Sequence, residues 1–159
     1  MLHINIICVG KIKETYLKDA ITEYSKRLSK YCNLSIIELA DKPIPEKSNE
    51  TIDNQIKQAE ALDIINHLSK ESYKICLDLS GKQYTSEEFA NKITNISNIN
   101  STIDFIIGGS LGVTDELRNM CNEKISFSKM TFPHQLFRVF LLEQIYRAFK
   151  INNNEKYHK

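Results

Sequence analysis

Ile125-Ser-Phe-Ser-Lys-Met-Thr-Phe-Pro-His-Gln135, followed by Leu136-Phe-Arg-Val-Phe-Leu-Leu-Glu-Gln-Ile-Tyr-Arg-Ala-Phe-Lys150, is the stretch on which the fold turns. Its first half reads as a strand end and a loop. Its second half reads as a long helix from about Gln135 to Lys150. Pro133 can open that helix, since a proline in the first turn removes an N–H that has no helical partner anyway. Thr131 is a weak candidate cap, because Phe132 intervenes. The helix carries apolar residues nearly all round, from Leu136 and Phe137 to Ala148 and Phe149. Such a helix must be buried on more than one side. In a chain this short, that predicts a core on one face and a partner subunit on another. Glu143 and Arg147, four apart, can pair on the helix surface. Arg138 is read with them as marking a solvated edge.

Working outward, strand and helix patterns alternate through the whole chain. Leu2 to Val9, Leu34 to Leu39, Tyr73 to Leu79, Thr102 to Ile107 and Glu123 to Phe127 read as strands, with apolar and β-branched runs. Ser80-Gly81-Lys82 is expected to break the third. Lys13 to Tyr31 and Thr51 to Leu68 have helical apolar spacing. Thr85 or Ser86 caps a third helix, and Thr114 opens a short one to Cys121. Residues 41–50, with Pro43 and Pro45, form a polar loop. The alternation predicts an α/β fold with a mostly parallel sheet and helices on both faces, as one domain over residues 1–159.

Composition excludes several classes. Of 159 residues, 42% are hydrophobic and 26% charged, as in a soluble globular protein. No apolar run approaches the roughly 20 residues that span a membrane. The start reads as a first strand, not a signal peptide. Cys8, Cys32, Cys76 and Cys121 are scattered and form no C-x-x-C pair. They are expected to be structural thiols in a reducing cytoplasm, with neither disulfide nor metal. His67 is expected at the surface. The formal net charge is +1, but residues 1–32 carry +3, residues 33–123 carry −7 and residues 124–159 carry +5. That asymmetry allows a polyanionic partner without requiring one.

In open parallel sheets, ligands bind beyond the carboxyl ends of the strands. Three loops leave such ends: Leu77 to Lys82, Gly108-Gly109-Ser110-Leu111-Gly112, and Phe127 to His134. Their convergence marks a candidate site. No G-x-G-x-x-G follows the first strand, so the ordinary dinucleotide fingerprint is absent.

Ile106-Ile107-Gly108-Gly109-Ser110-x-Gly112, taken with Ser126 through His134, resembles the SPOUT superfamily of methyltransferases. The ending Tyr146-Arg147-Ala148-Phe149-Lys150-Ile151, then Tyr157-His158-Lys159, is similar to the ribosomal RNA large subunit methyltransferase H family. Val9-Gly10-Lys11-Ile12-Lys13 and Tyr24-Ser25-Lys26-Arg27-Leu28 fit the same family. The resemblance runs the length of the chain. Leu111 departs from it, standing where members often carry a polar residue.

That resemblance implies a C-terminal trefoil knot, a homodimer and S-adenosyl-L-methionine as methyl donor. It implies methylation of ring nitrogen 3 of a pseudouridine in 23S ribosomal RNA; the modest basic surplus points to the assembled ribosome as the substrate form. Carried over, the cofactor site falls on Leu77, Gly108, Phe127, Ser128, Lys129, Met130, Thr131 and Phe132. His158 becomes the candidate proton acceptor and Tyr157 a residue that holds the base. Lys156, Lys159 and Arg147 are candidate phosphate contacts. His134 is the rival histidine, read as a packing or dimer-contact residue. Two alternatives stay open: the same fold acting on transfer RNA, and a dimer that binds nucleotide or RNA without chemistry.

Overall fold

The structure is a computed structural model and describes residues 1–158. Lys159, a candidate phosphate contact, lies outside the described residues. Five strands, β1 (His3–Val9), β2 (Asn33–Leu39), β3 (Tyr73–Lys82), β4 (Thr102–Ile107) and β5 (Glu123–Ile125), form one sheet in the order β2-β1-β4-β3-β5. Every pairing is parallel. The helices are α1 (Thr15–Leu28), α2 (Glu50–His67), α3 (Ser86–Ser97), α4 (Asp115–Met120) and α5 (His134–Asn152).

Alternation along the strands sorts the core into two layers. Ile4, Ile6 and Cys8 face one side with Phe105 and Ile107, under α1, α3 and α5. Ile7 and Val9 face the other with Cys76 and Ile106, under α2 and α4. Helices therefore cover both faces, as the periodicity predicts. Sequence-encoded caps fix the helix starts. Asn49 accepts the Ile52 N–H, Thr114 that of Leu117, and Thr85 forms a capping box with Glu88. At α5, Pro133 is the cap residue and its carbonyl accepts the Phe137 N–H at 2.9 Å; no side chain caps this helix, so Thr131 does not.

Much of the apolar girth of α5 is accounted for within the chain. Leu141, Leu142, Ile145 and Ala148 are buried in the layer shared with α1 and α3. Neighbours of the same chain, with the sheet, cover most of the helix. Leu136, Val139 and Phe140 in its first half stay partly open, as do Phe149 and Ile151 near its end. Arg138 is not a solvated edge: it is 1% exposed. The cysteines are all free thiols, three of them buried. His67 is exposed, with Nδ1 at 2.7 Å from the Asp63 carbonyl. Among the described residues, no helix is long and apolar enough to cross a membrane.

One polar group lies inside the sheet. Asp104 on β4 is fully buried and accepts from the Ser69 N–H at 2.7 Å, the Ser72 hydroxyl at 2.6 Å and the Asn5 amide at 2.7 Å. It ties the loop between α2 and β3 to the amino ends of β1 and β4. Asp104→Asn exchanges an acceptor for a donor facing donors. The loss should be about 2 kcal/mol in urea unfolding. A change below about 0.5 kcal/mol would mean that the loop rearranges freely.

Candidate functional site

The three strand-end loops do converge. They enclose a cavity of ≈ 580 Å³ beyond the carboxyl ends of β3, β4 and β5. That volume is in the range of small-molecule sites. Leu77, Asp78 and Leu79 form one wall. Ile107 through Ser110, Gly112 and Val113 form the second. The segment from Ile125 to Phe137, without Lys129, Gln135 and Leu136, forms the third.

Each wall has a local cause. The expected break at Ser80-Gly81-Lys82 is instead a bulge inside β3: Leu77 and Lys82 both register with Ile125 of β5. The extra residues loop outward and aim Asp78 and Leu79 at the cavity. Gly81 must be glycine, since a Cβ there would lie 2.6 Å from the Ile125 nitrogen. In the second wall, Gly112 donates its N–H to the Gly109 carbonyl at 3.0 Å and has φ +82°. Only glycine adopts that conformation at little cost. The third wall is braced by aromatic rings. Phe127 packs on Phe137 with centroids 4.9 Å apart, and Phe132 meets Phe140 edge-on at 5.2 Å.

Of the eight residues expected at the cofactor, seven line this cavity: Leu77, Gly108, Phe127, Ser128, Met130, Thr131 and Phe132. Lys129 is exposed and stands outside the lining. The lining is mostly apolar, with backbone amides at the turns, and fits a flat heteroaromatic group edged by hydrogen-bonding atoms. Asp78 supplies a charge. Burial opposes its ionisation, but Ser80 and then Arg118, at 3.3 Å, hold its carboxyl below the usual carboxylate range. Among the described residues, no cluster of His, Cys, Asp and Glu could hold a metal ion.

The candidate catalytic residues sit elsewhere. Neither Tyr157 nor His158 lines the cavity. Both fold onto the last turns of α5. The Tyr157 hydroxyl donates to Glu143 at 2.7 Å, and the Arg147 guanidinium lies 4.6 Å from the Tyr157 ring centroid. Burial first, then the bond to Glu143, pushes the Tyr157 phenol up to about 12, so it stays a donor. Arg147 pairs with Glu143 at 3.1 Å, as the spacing predicts. Arg147 also contacts His158 Nδ1 at 3.1 Å, while His158 Nε2 meets Glu87 at 2.6 Å. Since arginine only donates, Nδ1 is the acceptor and Nε2–H donates to Glu87. Phe137 at the cavity and Glu143, which holds Tyr157, lie six residues apart on α5, about 9 Å along the helix.

His134, read as a packing or dimer-contact residue, also lines the cavity and packs against Gly10. Burial first, then the charge of Arg138, lowers its pKa; Asp41 opposes this. The folded chain therefore binds fewer protons at this ring than the unfolded chain does. Stability from this group is present above the unfolded value of about 6.5 and is lost as pH falls through the lower folded value. In urea titrations between about pH 7.5 and 5.5, the wild type should lose more stability than His134→Gln. Parallel losses would place the acid sensitivity in other groups.

Two contributors were hidden from the sequence pattern. Arg138 donates to the Val9 carbonyl at 3.0 Å, the Gly10 carbonyl at 2.6 Å and Glu38 at 2.8 Å. It bolts the start of α5 to the end of β1. Glu60 on α2, 5% exposed, stands against Gly109. A charge inside an apolar helical face was the one available signal for Arg138. Glu60 had none.

A family described as "Predicted SPOUT methyltransferase" matches residues 2–158. The chain is 57% identical to "Ribosomal RNA large subunit methyltransferase H" of Clostridium botulinum (strain Kyoto / Type A2), over 99% of this chain and 100% of that protein. It is 53% identical to the protein of the same name from Clostridium acetobutylicum, with the same coverage. A probable methylase family protein from Haemophilus influenzae Rd KW20 superposes with a TM-score of 0.54 at 15% identity, over 98% of this chain and 70% of that one. At that identity, the superposition speaks for the fold alone.

Proposed function

The chain belongs to the SPOUT methyltransferase family, and on that premise we propose that it transfers the methyl group of S-adenosyl-L-methionine to ring nitrogen 3 of a pseudouridine in 23S large-subunit ribosomal RNA. The assembled ribosome is the proposed substrate form. The observation that carries the reading is the cavity of ≈ 580 Å³ into which three strand-end loops bring seven of the eight residues expected at the donor.

The donor supplies an already activated sulfonium methyl, so the protein needs neither a metal nor a covalent nucleophile. The chain's own residues bind, orient and exclude water. Backbone groups of residues 127–132 would hold the edge of the adenine, and apolar side chains such as Leu77 and Phe127 would cover it. The target nitrogen must also lose a proton, and a positioned base assists that step. His158 is the proposed acceptor, with Tyr157 holding the base.

The position of Tyr157 and His158 outside the cavity lining supports a homodimer in which each tail serves the partner's cavity. The partly open first half of α5, with Leu136, Val139 and Phe140, is the proposed contact surface, next to Met130, which is 75% exposed. A C-terminal trefoil knot and a cytoplasmic location belong to the same reading. The basic surplus near both termini is small, so binding to naked RNA is expected to be weak and salt-sensitive.

The direct test offers labelled donor with ribosomes lacking this modification, free large subunits and transfer RNA. Label in a pseudouridine of large-subunit RNA supports the reading. Label in transfer RNA alone replaces the substrate. No label from protein that still binds donor removes the reaction.

A further inference from the structure

We propose that a small pocket opening off the main cavity, between Glu60 and the Gly109 turn, receives the α-ammonium group at the amino-acid end of the methyl donor, with Glu60 as the carboxylate that recognises it. The inference rests on the donor reading above and adds a residue and a subsite that the reading does not contain.

The pocket measures ≈ 140 Å³ and includes Asp41, Lys42, Glu60, Gly109, Ser110 and His134. Gly109, Ser110 and His134 also line the main cavity, so the two spaces adjoin. Glu60 is 5% exposed, and burying a carboxylate that deeply is costly without a cationic partner. Its Oε2 accepts the Lys42 N–H at 3.1 Å. Among the described residues, no Lys, Arg or His forms an ion pair with it; the Lys42 ammonium turns instead to Asp63, at 3.5 Å. Oε1 is aimed at the turn: a Cβ on residue 109 would lie 3.0 Å from it. A glycine there leaves the carboxylate oxygen at the pocket wall.

These features describe a charge waiting for a counter-charge. Burial raises the Glu60 carboxyl, and neighbouring Asp41 raises it further against the pull of Lys42. A compact ammonium with three donors would satisfy Oε1 and offset the burial. The amino-acid end of the donor is the one part of that molecule that presents such a group. Placed here, it would set how far along the cavity the sulfonium sits, and so where the methyl points.

Calorimetric titration of the full-length protein tests this with two probes, S-adenosylhomocysteine and its deaminated analogue, which keeps the carboxylate and lacks the ammonium. Wild-type protein should bind the first about ten- to a hundredfold tighter, the range of a charge-assisted hydrogen bond. Glu60→Gln keeps an oxygen for the Lys42 N–H, so it should fold. It should lose about that factor for S-adenosylhomocysteine and stay within about twofold for the deaminated analogue, a coupling that a double-mutant cycle reads directly. Glu60→Asp, with its charge drawn back, should fall between. Equal losses for both probes would assign Glu60 a structural role and overturn the inference, as would unchanged affinity for S-adenosylhomocysteine. If wild-type protein bound neither probe, the donor reading itself would fail and take the subsite with it.

Discussion

Deleting Tyr157 to Lys159 is expected to lower methyl transfer on the order of a thousandfold while leaving donor affinity within about twofold, because in the proposed reading the tail handles base and proton, and neither Tyr157 nor His158 lines the cavity. The Tyr157 hydroxyl and the His158 ring are held by Glu143, Arg147 and Glu87, none of which lines the cavity. Deletion should cost little stability, since both side chains are only partly buried. The pair Arg147–Glu143 survives it. A mixing experiment extends the test. Truncated protein with a sound cavity, combined with protein whose cavity is blocked but whose tail is intact, should regain part of the activity if each tail serves the partner's site. No recovery from proven mixed dimers would confine each tail to its own chain. Normal turnover by the truncated protein would end the assignment of His158 and Tyr157 altogether.

Local pattern carried much of the fold because the parallel sheet and its helices are written locally. β4 was legible to the residue, Thr114 announced its cap, and local chemistry narrowed the third helix's cap to Thr85 or Ser86, of which the structure uses Thr85. Misreadings arose where distant segments decide. Ser80-Gly81-Lys82 resembles a turn, yet β5 pairs with Leu77 before it and with Lys82 at its end, drawing it into the strand as a bulge. Arg138 looked like the solvated edge of α5 because periodicity cannot count how many elements of its own chain will surround a helix. Asp104 lay in an apolar run with donors from residues 5, 69 and 72, invisible until the strands are paired. The cavity loops could be read because the ends of parallel strands are a general address for ligands. Glu60 could not, because nothing in the pattern of α2 separates an acid on its solvated face from one pressed against Gly109.

Arg138 is the sharpest case of a long-range determinant, and Arg138→Met should show it. The side chain is 1% exposed and reaches partners about a hundred residues or more away along the chain. Glu38 is shared: it also accepts the Ile12 N–H at 2.9 Å. One guanidinium thus joins β2, the Gly10 turn and the start of α5. Methionine fills much of the volume but leaves the Val9 and Gly10 carbonyls without their donor. The turn has little freedom to find another, because Gly10 has φ +95° and its own N–H is bound to the Leu39 carbonyl at 2.6 Å. Stripping one partner from a buried charged cluster costs about 3–5 kcal/mol, near 10 °C in Tm for a chain of this size. The buried Arg138 Nε–H has no hydrogen-bond partner and moderates that figure, since its removal relieves a desolvated donor. A second readout separates lost packing from lost charge. His134 stands one helical turn before Arg138, and part of its lowered pKa comes from that charge. In folded Arg138→Met, the His134 ring resonances should titrate at higher pH than in the wild type. Tm within about 2 °C of wild type, with His134 unmoved, would show the guanidinium to be a passenger in the core; a large fall in Tm with a raised His134 pKa would identify it as the bolt that holds the cavity's third wall to the sheet.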